Sequence, residues 1–178
     1  GMKIRENIVI RRFERREGVL ASYIHNGGSI GVLVRMETNL SADQVAEVGK
    51  NVAMQSAAMN ASYLNREAVP AEVLENEKTI IMAQMAEDPK MASKPEQVRA
   101  KIAEGKVGKY YSENCLLEQT FVRSDLFDGT VAKYVADAAK KLGGTIEVVE
   151  CIRYERGEGV EKKADDFAAE VAAMAKGN

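Results

Sequence analysis

The strongest structural signal in the chain lies at residues 19–36, which read VLASYIHNGGSIGVLVRM. Two apolar runs, 19–25 and 29–36, flank the triplet Asn26-Gly27-Gly28. Because asparagine and glycine tolerate positive φ, the triplet predicts a tight turn between two antiparallel strands. The preceding segment 7–16 is rich in β-branched residues at its start and ends before Gly18. The sequence therefore predicts an antiparallel meander of three strands.

After this meander the spacing of apolar residues changes from two to about 3.6, which predicts a helix over residues 41–59. Ser41 and Gln44 have the spacing of a capping box, in which a hydroxyl and an amide side chain satisfy free backbone N–H groups. Apolar residues follow at helical spacing: Val45, Val48, Val52 and Met59. We expect this apolar stripe to cover one face of the sheet.

The middle of the chain predicts a helical hairpin that projects from the body. Pro70 suits the first turn of a helix running to about Glu87, and Pro95 opens a second one. The first helix carries a narrow apolar seam: Leu74, Ile81 and Met85. The second carries Val98 and Ile102. Since the other arm alone can cover such a seam, the two helices are expected to form an antiparallel pair.

The last third predicts a helix, a strand and a further helix. Residues 130–142 form a helical pattern that ends at Gly143, a residue suited to a left-handed cap. A strand follows, with alternating residues expected on one face: Ile146, Val148, Ile152 and Tyr154. A terminal helix is predicted from about Lys163, with Phe167, Val171 and Met174 on one side.

The mixture of strands and helices, without a regular βαβ repeat, indicates an α+β fold in which helices cover an antiparallel sheet. Four parts are predicted. They are a core subdomain at 1–66, the helical hairpin at 67–118, the rest of the core at 119–157 and a C-terminal helical module at 158–178.

The sequence offers little for catalysis. His25 is the one histidine, and Cys115 and Cys151 lack metal-ligand spacing, so no metal, cofactor or enzymatic activity is expected. The two cysteines suit a reducing compartment, and no apolar run reaches the roughly 20 residues of a membrane span. We expect a cytoplasmic protein without a membrane partner.

Charge argues against direct binding of nucleic acid. The chain has 25 basic and 27 acidic residues, for a net charge of −2. The basic run, Arg11-Arg12 and Arg15-Arg16, is interrupted by Glu14 and Glu17, so a strand would carry no stripe of one sign. Binding of RNA by these arginines remains an alternative, but ion pairing within the fold is favoured.

Several phrases, in order, resemble the second half of elongation factor Ts. They are NIVIRRF at 7–13, LASYIH at 20–25, GVLV at 31–34, VPAEVL at 69–74, AEGK at 103–106, LLEQ at 116–119 with FV at 121–122, RYERGEGVEKK at 153–163 and DFAAEVAAM at 166–174. The small N-terminal helical domain of that family and its first core repeat, with a Thr-Asp-Phe-Val phrase, are absent. The most similar segment, Glu37-Thr-Asn-Leu40, has Asn in place of Asp and Leu in place of Phe, and no partner contact is assigned to it. A truncated form or a fragment is implied.

The resemblance implies a translation factor that binds an elongation factor Tu GTPase and promotes release of its GDP. It implies partner contacts at the predicted turn and on the terminal helix: Tyr23, His25, Gly28, Ile30, Gly31 and Met174. For His25 the alternative is an exposed histidine without a role, and for Met174 it is a core-facing side chain. The competing hypothesis for the whole chain is a structural fragment that forms a homodimer and lacks exchange activity.

Overall fold

The computed structural model of the chain describes residues 10–160. Its strands are β1 (Val19–His25), β2 (Ile30–Thr38) and β3 (Ile146–Glu155). Its helices are α1 (Ala42–Met59), α2 (Ala71–Glu87), α3 (Pro89–Ala92), α4 (Glu96–Asn114) and α5 (Val131–Leu142). The α+β class is confirmed. The division into four parts stays a prediction, and the terminal helix predicted from Lys163 lies outside the described residues.

The three strands form one antiparallel sheet in the order β1-β2-β3. The turn between β1 and β2 is the predicted triplet, with φ of 46° at Asn26, 63° at Gly27 and 92° at Gly28. It places His25 opposite Ile30 in the register. The predicted hairpin is therefore confirmed, and its positive φ angles explain why the triplet has this composition.

The predicted strand at 7–16 is wrong where the structure describes it, since residues 10–16 have no strand conformation. Three of their four arginines, Arg11, Arg12 and Arg16, instead bind groups of β3 and the turn that follows it, whereas Arg15 pairs with Glu17. Arg16 pairs with Glu150 at 2.8 Å, and Arg12 pairs with Glu158 at 2.7 Å while its guanidinium lies over the Tyr154 ring. The segment is held by side chains and not by a backbone ladder. Ion pairing within the fold, favoured from the sequence, is confirmed for these arginines.

Glu150 is the centre of this ion-pair cluster. Hydrogen bonds from Arg16 and then from Arg35 lower the pKa of its carboxyl. Arg35 lies opposite both Leu20 and Glu150 in the register, so its side chain is on the face of the sheet that points away from α1. The arginine segment therefore covers part of this outer face.

A β-bulge in β3 changes the predicted division of its two faces. Arg35 pairs with Glu150 but Met36 pairs with Val148, so Val149 is an extra residue. This shift by one residue places Ile152 and Tyr154 on the outer face of the sheet, whereas Val148 lies on the inner face. The prediction that both share a face with Val148 is wrong. Cys151 and Arg153 lie on the α1 side instead.

Helix α1 covers the inner face of the sheet. The predicted capping box is present at Ser41 and Gln44. Side chains of α1 and of the strands form one buried core: Val45, Val48, Val52, Ala21, Val32, Val34, Met36 and Val148. Met59 is half exposed at 49%, because the helix has passed the edge of the core at its last turn.

The helical hairpin predicted from the seam is confirmed. Ile81 and Met85 are buried, Leu74 is half buried, and α4 has no buried residue. The short helix α3 lies in the connection and is capped by the Asp88 carboxylate. Pro70 and Pro95 occupy N-cap positions, one residue before the predicted first turn. No described helix is both long and apolar enough to cross a bilayer.

A buried polar network joins α1 to the loop before α5. Gln55 is fully buried; its side-chain N–H groups donate to Gln119 at 3.2 Å and to the Thr120 carbonyl at 3.1 Å. Its oxygen accepts from the Val122 N–H at 2.8 Å. One side chain thus satisfies three groups of a loop that has little regular structure, which fixes the loop on the core.

Helix α5 begins and ends as predicted. Thr130 caps its first turn, and Gly143 has φ of 71° at its end. Next to it, Phe121 stacks on Tyr134 with ring centroids 4.1 Å apart, and the Tyr134 hydroxyl accepts a hydrogen bond from Asn51 at 2.7 Å. Phe121 and Tyr134 belong to the same buried core as α1 and the sheet.

Candidate partner-binding surface

The turn between β1 and β2 carries most of the predicted contact residues. His25 is exposed and Tyr23 is half buried. The Tyr23 hydroxyl lies 3.0 Å from Nδ1 of His25, and the two rings are 5.8 Å apart at 44°. In the tautomer with hydrogen on Nε2, the hydroxyl donates to Nδ1 and leaves an N–H donor facing outward. The pair is therefore suited to a polar contact with another molecule.

The backbone of the turn is held by hydrogen bonds within the turn. The Ser29 N–H and hydroxyl both donate to the His25 carbonyl, at 3.1 and 3.2 Å. Gly28 has φ of 92°, a conformation that a side chain would strain. Gly28 thus has a conformational role in the turn, and His25 is presented by a loop with internal hydrogen bonds.

The predicted contact residues are distributed over both faces of the sheet. Tyr23 and Ile30 pack against the core on the α1 side, so part of each side chain is committed to stability. Gly31 lies on the outer face, where the Ile24 side chain approaches within 3.5 Å of a Cβ position at that glycine. Met174 lies outside the described residues. The structure brings five of the six residues to one end of the sheet.

Sequence reasoning missed the neighbouring turn at the end of β3. Glu155 is opposite Ile30, and the Arg156 N–H donates to the Ser29 carbonyl at 2.8 Å. Arg156 is exposed beside the His25 turn. The glycines at 157 and 159, both with positive φ, could have indicated this turn. Arg156 and the exposed Ile24 therefore extend the same surface.

Among residues 10–160, no group of three or more His, Cys, Asp or Glu side chains could hold a metal ion. Cys115 and Cys151 are unpaired thiols, and burial raises the pKa of each. A raised pKa keeps a thiol protonated at neutral pH, the form that is a weak nucleophile.

Comparison with known proteins gives one consistent result. The family model described as Elongation factor TS matches residues 1–158. The chain is 44% identical over 178 residues to Elongation factor Ts of Clostridium kluyveri (strain ATCC 8527), covering 98% of this chain and 56% of that protein. It is 44% identical over 172 residues to Elongation factor Ts of Clostridium botulinum (strain ATCC 19397 / Type A), covering 95% and 54%. The chain spans little more than half the length of these curated relatives.

Proposed function

This chain belongs to the elongation factor Ts family, and on that premise we propose that it binds an elongation factor Tu-type GTPase in the cytoplasm and promotes GDP release. The observation that carries the proposal is the continuous family match over residues 1–158, which includes the turn that presents His25. No step requires a bond to be made or broken by this chain. Its contribution is a surface that fits one state of the partner.

Thermodynamic linkage explains how binding alone promotes release. If the chain binds the nucleotide-free GTPase more tightly than the GDP form, GDP affinity falls by the same factor. Couplings of this kind are typically about 1–3 kcal/mol, which corresponds to roughly a 5- to 150-fold change in affinity. The chain therefore needs only a better fit to the empty GTPase, and no nucleotide site of its own.

The test is release of a fluorescent GDP from purified elongation factor Tu. We expect the full 178-residue chain to accelerate release in proportion to its concentration, until complex formation saturates. A chain that sediments as a homodimer and leaves the release rate unchanged would instead support the dimerising fragment. That alternative rests on the exposed Leu20 and Ile24 of the outer sheet face.

His25→Ala is expected to weaken the GTPase complex about tenfold, the effect of truncating a moderate interface hot spot. Because His25 is exposed and, among residues 10–160, its side chain is hydrogen-bonded to Tyr23 alone, the thermal midpoint should change little. Calorimetric titration of the two proteins measures the affinity.

Glu147→Ala is the matched control for this substitution. Glu147 is also an exposed strand residue, but it pairs with Glu37 at the opposite end of the sheet. It should leave the affinity unchanged. Equal affinity of the His25→Ala chain and the control chain would show that the turn is not the contact.

A further inference from the structure

The arm is formed by α2, α3 and α4, and the body is the sheet with α1 and α5. The chain enters the arm after Leu64 and leaves it at Cys115, and these two segments lie side by side. Tyr63 and Cys115 form a parallel bridge at this point. The Leu116 N–H donates to the Tyr63 carbonyl at 2.9 Å, and the Leu117 N–H donates to the Leu64 carbonyl at 3.0 Å. These hydrogen bonds form a single row between the two segments. Such a row holds the segments together but resists rotation of the arm about the row less well. The buried Gln119 side chain adds one contact with α4, donating to the Glu113 carbonyl at 2.9 Å, and further contacts at the exposed side of the joint would fix the angle of the arm.

Arg66 makes such contacts with two other segments at once. It lies in the short turn that leads into α2, and its Nε and Nη2 form a bidentate pair with the Glu118 carboxylate, the Nη2 contact being 2.7 Å. Glu118 belongs to the turn by which the chain returns to the body. The same guanidinium lies over the Tyr111 ring, 4.5 Å from its centroid, and Tyr111 is in the last turn of α4.

We propose that Arg66 is the positioning residue of the arm, fixing the angle between the helical hairpin and the sheet by fastening Tyr111 to Glu118. A planar guanidinium uses its edge for the carboxylate and its face for the ring, so both contacts hold it in one orientation. Rotation of α4 relative to the body must break one of them. This role concerns the arm itself and does not depend on a bound GTPase.

The strength of the contact comes from its geometry. An isolated exposed ion pair contributes little, and the Arg66 side chain is 55% exposed. Bidentate pairing to a carboxylate and stacking on an aromatic ring are the two features that make such an arginine effective. Both occur on the same side chain here. Lysine, which lacks the fork and the flat face, cannot reproduce them.

The test measures distances between spin labels on the full chain. Labels are attached at Lys90→Cys near the arm tip and Lys133→Cys on α5, both exposed positions, with Cys151 replaced by alanine. Cys115 is fully buried and stays. We expect one narrow distance distribution for the parent chain and a distribution at least about twice as broad for Arg66→Ala. Arg66→Lys should lie between them.

Arg123→Ala is the matched control, since it removes another bidentate arginine pair, to Asp125, within the body. It should leave the distribution unchanged. Should Arg66→Ala fail to fold, Glu118→Gln removes the same charge pair with almost no change of volume and is expected to broaden the distribution as well. A folded Arg66→Ala or Glu118→Gln chain with the parent's distribution, or equal broadening in Arg123→Ala, would overturn the proposal.

Discussion

Replacing Gly49 with alanine is expected to destabilise the protein by about 2 kcal/mol, although alanine is the better helix former. Gly49 is buried in the middle of α1, where the helix crosses the sheet. A Cβ at this position would lie 2.5 Å from the Ala21 Cβ and 2.5 Å from the Met36 Cε. The Met36 Cε is the end of a flexible side chain and can move, but the Ala21 Cβ is fixed to the backbone of β1. The helix must therefore shift away from the strand.

Urea denaturation of Gly49→Ala, with Gly105→Ala as control, measures this effect. Gly105 lies in the interior of α4, and a Cβ there meets nothing within 4 Å. The control should therefore be more stable than the parent by about 0.5–1 kcal/mol, the ordinary gain from glycine to alanine in a helix. Opposite signs for the two glycines are the expected result. If both variants were stabilised, the close approach of α1 to β1 would be wrong.

A double-mutant cycle tests which two atoms clash. Ala21→Gly removes the atom that Gly49→Ala would contact most rigidly. The double variant should recover part of the stability lost in Gly49→Ala, because the two Cβ atoms no longer compete for one space. If the losses in the free energy of unfolding from the two changes were additive, contact between these two Cβ atoms would not be the source of the strain.

Replacing Gln55 with alanine is expected to cost about 3 kcal/mol or more of the free energy of unfolding. The substitution opens a cavity and removes the hydrogen bonds to the buried Gln119 side chain and to the part-buried Thr120 carbonyl and Val122 N–H. A buried group that loses its partner costs more than the hydrogen bond itself contributed. Denaturant unfolding measures the loss, and hydrogen exchange at the Val122 amide reports release of the loop.

Two further variants distinguish the hydrogen bonds from the volume. Gln55→Leu keeps most of the side-chain volume but has no polar atoms, so it should still lose much of the stability. Gln97→Ala changes an exposed glutamine of α4 and should stay within about 0.5 kcal/mol of the parent. A Gln55→Leu chain as stable as the parent would show that the buried network contributes nothing.

Local sequence signals predicted most of the secondary structure. The capping box at Ser41 and Gln44, the turn at Asn26–Gly28 and the glycine cap at Gly143 act through neighbours within a few residues. Each appears in the structure where it was predicted. The helical hairpin was also predicted from its seam, but of the seam residues Ile81 and Met85 are buried whereas Val98 is 40% exposed.

The candidate contact surface was predicted less completely. The turn that carries His25 was foreseen, and the phrases resembling elongation factor Ts pointed to it. Arg156 was missed because it comes near the turn only through the pairing of β3 with β2. Separation of more than 120 residues along the chain gives no local pattern that could have linked the two.

The amino-acid sequence by itself determined the family of this protein, its α+β class, the turn between β1 and β2 and the positions of helices α1, α2, α4 and α5. The tertiary structure alone decided the bulge at Val149, the lack of strand conformation at residues 10–16 and the pairing of Arg66 with Glu118. The physical reason is the range of the interactions. Caps and turns are satisfied by adjacent residues, whereas register, ion pairs and helix–sheet approach depend on which distant segments meet in the folded chain.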